Sequence, residues 1–67
     1  MKKLNLVDGL NEELIRAKEL LGSYENIPSG AFGAMMIRNT IQHAELSMQT
    51  QNLAEMIKAY EKLKDLE

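Results

Sequence analysis

The sequence predicts an all-α protein: an antiparallel helical hairpin with a third, shorter helix folded back on it, associating as a homo-oligomer. Three observations carry that expectation. Apolar residues recur at alternating steps of three and four, the spacing of one helical face. The only proline, Pro28, falls between two such stretches. Capping signals stand at the joints, where the periodicity pauses.

The first stretch places Val7, Leu10, Leu14, Ala17, Leu21 and Tyr24 on one face and predicts a helix over about 7–25. Asp8 or Asn11 is suited to cap its start, and Glu12 and Glu13 suit the positive end of the helix dipole. Glu12 stands four residues before Arg16, the spacing of a supportive pair on the solvent side. Ile15 and Leu20 lie off the seam and widen the apolar surface beyond what one partner helix covers. Ile27 precedes proline and is biased to extended backbone, which ends the helix by Glu25.

Ser29 is then the expected N-cap of a second helix over about 29–48, with a seam of Ala34, Ile37, Ile41, Ala44 and Met48. Small residues at 30, 31, 33 and 34 make its first turns thin. Two glycines there cost up to about 1 kcal/mol each relative to alanine, which calls for a packing or binding reason. Met35 and Met36 add flexible apolar bulk beside the seam. Arg38, Asn39, Gln42, Glu45 and Gln49 make up its polar side. After Gln49-Thr50-Gln51, Asn52 and Glu55 have capping-box spacing. They open a third helix over about 52–66, with Leu53, Met56, Ile57, Tyr60, Leu63 and Leu66 facing inward. Lys58, Lys62 and Lys64 sit in its later half, where cations suit the dipole.

Residues 1–67 make one domain. A chain this short buries only about 60% of its unfolded surface, and its core supplies roughly 3–5 kcal/mol without help. Cysteine is absent, so disulfides and thiolate metal sites are not available to it. One histidine does not make a zinc site, and no metal or other cofactor is expected. Self-association remains as the means of hiding the surplus apolar surface.

Ten acids against eight bases leave a net charge of −2, with no basic stripe of the kind that neutralises several phosphates at once. Nucleic acid is therefore not an expected partner. No apolar run approaches the roughly 18 residues that span a bilayer, and Leu4–Val7 is too short for a signal-peptide core. A cytoplasmic protein without a membrane partner is the expectation.

Catalytic residues are not expected, and the chain reads as a non-enzyme. A triad needs a nucleophile, a histidine and an orienting acid brought together; His43 and Ser47 share helical spacing, but lie side by side on one surface, with no pocket implied. Neither GxxxxGK nor GxGxxG occurs. The segment Pro28-Ser29-Gly30-Ala31-Phe32-Gly33 is the candidate binding element. Ser29, Gly30 and Gly33 at a helix start expose backbone N–H groups to a phosphate or carboxylate, and Phe32 offers a stacking ring. The alternative is a helix start packed closely on another helix, with Phe32 in the core. Arg38 stands roughly 13 Å along the axis from Ser29, at 1.5 Å per residue, and would reach such a site from a neighbouring subunit. His43 is the second candidate cation.

The strings SGAFGAMMI at 29–37 and AEMIKAYEKLK at 54–64 resemble a group of small phage and prophage proteins. Their outline is a leucine-rich helix, a Pro-Ser-Gly-Ala-Phe-Gly joint, a methionine-isoleucine helix and a closing MIKAYEKLK-like helix. The resemblance covers about residues 14–64. It departs at the second turn, where Gln49–Asn52 replaces a tighter Ser-Gly-Asp. It implies a phage accessory protein acting in the host cytoplasm. By analogy, such a protein is a counter-defence homo-oligomer that sequesters a cyclic nucleotide-type signal through Ser29, Gly30, Phe32, Gly33, Arg38 and His43. A module that binds a host defence protein through Met35, Met36, Ile15 and Leu20 is the alternative, and a virion assembly helper is a third.

Overall fold

A computed structural model describes residues 5–66 of the chain. It is all-helical: α1 spans Leu6–Glu25, α2 Ala31–Gln49 and α3 Leu53–Lys64, with no strand among the described residues. Each terminus shows why it falls where it does. Asn5, not Asp8 or Asn11, caps α1; its backbone is extended and its side chain accepts from the Asp8 N–H at 2.8 Å. Asp8 is thereby left in the first turn, where an acid favours the helix dipole. The Gly30 N–H donates to the Ile27 carbonyl at 2.9 Å, closing a turn around Pro28 and Ser29. That turn delays the entry of α2 by one residue. Gly30 is the N-cap, with its carbonyl accepting from Ala34, and Ser29 makes no capping bond.

Between α2 and α3, Gln51 N–H donates to Met48 O and Asn52 N–H to Ser47 O, the paired closing bonds of a Schellman turn. Gln51 takes the left-handed conformation that glycine usually fills there, at φ 56°. Asn52 then caps α3 by accepting from the Glu55 N–H at 3.2 Å, half of the expected capping box. The other half is missing because the Glu55 carboxylate turns to His43 instead.

Two ion pairs fix α1 against α2: Lys18 with Glu45 at 3.1 Å and Glu25 with Arg38 at 2.9 Å. Seven residues forward on α1 match seven back on α2, so the two run antiparallel. His43 meets Glu55, while Met36 and Asp65 line one crevice, so α3 runs antiparallel to α2. Tyr60 lies beside Gly9, and Leu63 and Leu66 beside Arg16, so α3 is parallel to α1. Each helix packs on both of the others.

The interior consists of Leu10, Leu14, Ala17, Ile37, Ile41, Ala44, Met56, Ala59 and Leu63, with Ala34 buried nearby. Leu20, Leu21 and Tyr24 pack at its margin, so Leu20 is half-buried and not a free contact. Three expected core residues are outside. Val7 is exposed because the ion-pair register sets Gln49, the last residue of α2, level with Leu14, which leaves no α2 residue beside Val7. Ala59 holds the centre of the inner face of α3, so Ile57, two residues away, turns to the opposite side, and Leu53 is exposed with it.

Arg16 is also placed differently from the expectation. It pairs with Glu13 at 3.0 Å, not with Glu12, and its guanidinium donates to the Leu66 carbonyl at 3.0 Å and to the Leu63 carbonyl. A cation at the negative end of α3 joins the Leu66 N–H on the Leu63 carbonyl and adds a donor to the Leu66 carbonyl, where the dipole favours positive charge.

Candidate functional site

The six candidate residues do not converge within one chain. Ser29, Gly30, Phe32 and Gly33 lie at the start of α2. Arg38 is about 10 Å farther along the axis from Ala31 and His43 about 18 Å, at 1.5 Å per residue. Arg38 faces α1, where Glu25 neutralises it. His43 faces α3, with Nε2 2.8 Å from Glu55 Oε1. A carboxylate only accepts, so Nε2 carries the hydrogen; Nδ1 is buried without a hydrogen-bond partner. The hydrogen bond from His43, aided by the Lys58 charge, holds the Glu55 carboxyl below the ordinary value of 4.5.

The two glycines have a packing explanation. A methyl group at Gly33 would stand 2.6 Å from two ring carbons of Tyr24, and one at Gly30 would strike the Tyr24 carbonyl and Ile27. The start of α2 is thin because the end of α1 rests on it. Phe32 takes no part in that packing. It is exposed, contrary to the expectation that a packed helix start would bury it.

Phe32 belongs to a different surface. Positions 32, 35, 39, 42 and 46 repeat the 3-4-3-4 spacing of the inner seam on the outward side of α2, and all five are exposed. Phe32 is 69% exposed, Met35 46%, Met36 52% and Leu46 57%. Asn39 and Gln42 lie between these apolar ends. Arg38 and Glu45, grouped with Asn39 and Gln42 on the expected polar side, instead turn toward α1. The outward face is therefore free of Lys, Arg, Asp and Glu, in a chain of which 27% is charged. All three charged or titratable residues of α2 have partners within the chain.

Sequence reasoning missed this second seam, although its spacing was legible. Its polar middle made it read as a solvated side. A groove lined by Asn11, Ile15, Lys18, Glu45, Met48 and Gln49 marks where α2 ends beside α1. The Lys18–Glu45 pair crosses it. Among the described residues, no three His, Cys, Asp or Glu side chains gather as a metal site, and no helix is long and apolar enough to cross a membrane.

No protein-family model, curated protein or solved structure matches the chain.

Proposed function

We propose that this chain is a non-enzymatic, self-associating helical module whose working surface is the outward face of α2. The observation that supports it is the charge-free strip bearing Phe32, Met35, Met36 and Leu46. Interface centres are depleted of charge and enriched in aromatic residues and methionine, and this strip has that composition. Scattered exposed apolar residues are ordinary; four on one uncharged helical face are not.

The exposed portions of these four residues amount to a little over two whole side chains per copy. Burying them on two copies contributes about 7–13 kcal/mol at the usual 1.5–3 kcal/mol per side chain. The loss of translational and rotational freedom costs roughly 4–15 kcal/mol. Similar magnitudes make the association reversible and dependent on concentration.

The capture of a cyclic nucleotide-type anion has less support. It requires Arg38 or His43 to be available, and each is already held by a carboxylate. The glycines that suggested a phosphate cradle are accounted for by Tyr24. An assembly acting on a protein is the broader role that fits this face.

Sedimentation velocity from micromolar to millimolar protein tests the reading. A shift from one copy to a larger species is expected, and Phe32→Glu and Met36→Glu should each weaken it about tenfold or more, equivalent to 1.4 kcal/mol. Glu19→Lys, on the exposed side of α1, should leave it unchanged. A single species of one-copy mass throughout would refute self-association.

A further inference from the structure

We infer that two copies cross α2 against α2 in antiparallel, on a twofold axis beside Asn39, with Phe32 of each copy against Leu46 of the other. This rests on the self-association reading and assigns its partner, orientation and register.

The strip is laid out symmetrically about Asn39. Phe32 stands seven residues before it and Leu46 seven after, both exposed and on one face. An antiparallel crossing centred on Asn39 sets Phe32 opposite Leu46 at both ends. It also sets Met35 opposite His43 and Met36 opposite Gln42. Asn39 meets its own copy, and a primary amide carries both donor and acceptor, so the pair satisfies itself.

A parallel pair fits less well. It would gather Phe32, Met35 and Met36 of both copies at one end and leave only two leucines at the other. Axes 8–10 Å apart need an even filling along the contact, which the antiparallel pair provides. Parallel packing would also bring like ends of the α2 dipoles together.

The face suits a second copy in charge as well. The chain is net −2, yet the strip has no charged residue, and the ion pairs along its rims are closed within each copy. No charge on the strip itself calls for an oppositely charged partner. About 28 Å of helix, about 10–12 Å across and with roughly a third of its circumference covered, hides on the order of 600–700 Å² in total. That is the size of a weak, reversible dimer, well below the roughly 2,000 Å² or more of an obligate one.

The chain lacks cysteine, so single cysteines report the geometry directly. Asn39→Cys should oxidise to a covalent dimer on the order of 100-fold faster than Glu19→Cys, through the higher effective concentration within a pair. Phe32→Cys mixed with Leu46→Cys should give the mixed dimer in preference to either self-linked one. All these positions are exposed, and circular dichroism of each variant checks that it folds. Preferential Phe32→Cys self-linkage, or Asn39→Cys oxidising no faster than the control, in a chain that sedimentation shows to associate would overturn the inference and leave the reading standing. A chain that sediments as one copy throughout overturns both.

Discussion

Replacing Arg16 with methionine tests whether α3 is held by its terminal carbonyls. Methionine keeps most of the aliphatic stem and removes the guanidinium, so lost packing contributes little. The wild-type group donates to Leu66 O and Leu63 O and pairs with Glu13, with 42% of its side chain exposed. Hydrogen bonds involving a charged group contribute about 1.5–3 kcal/mol each when shielded. Partial exposure and the surface setting of the Glu13 pair reduce the three contacts to roughly 1.5–3 kcal/mol together. In a domain of this size each kcal/mol moves Tm by about 4–8 °C, so a drop of roughly 6–24 °C is expected. Thermal and urea unfolding followed by circular dichroism measure it, and each should remain a single transition in which all three helices are lost together. A change below about 0.5 kcal/mol, typical of a neutral surface substitution, would show that α3 stays docked without Arg16.

Two further expectations follow from the same contacts. Gly33→Ala gains up to about 1 kcal/mol of helix propensity but drives a methyl group into the Tyr24 ring, an overpacking cost of about 1–3 kcal/mol. It should therefore destabilise on balance, and pairing it with Tyr24→Ala should remove the clash; Gly33→Ala melting above wild type would contradict the packing account. Glu55 has a folded-state value below 4.5, so the folded chain holds its proton less tightly than the unfolded chain. Its contribution is present above the unfolded value and is lost as pH falls through the folded one. Melting curves between pH 6 and 3 (about one unit either side of the carboxylate range) should fall more steeply for wild type than for Glu55→Gln, and parallel curves would remove the His43 contact from the stability account.

The helices and the inner seam of α2 were legible because Ala34, Ile37, Ile41 and Ala44 follow a strict periodicity, and they are buried as expected. What periodicity could not resolve was rotation. In α3, Leu53 and Ile57 compete with Met56 and Ala59 for the inner face, and hydropathy favours the larger residues. The bundle instead chose the small one, since Ala59 lets the helices approach closely. Arg16 was illegible for another reason. Its partners are backbone carbonyls some 50 residues away, which leave no trace in side-chain spacing. The start of α2 lay between these cases. Two glycines signalled a close approach, and only the Tyr24 contact shows that the approaching group is the end of α1.

The alanines at 17, 34, 44 and 59 let the helices close on a small interior that all three share, each touching both others. No two helices keep a dry centre once the third is gone. A protease that nicked the Thr50–Gln51 turn would therefore leave no surviving subdomain, and the chain should be lost whole or kept whole.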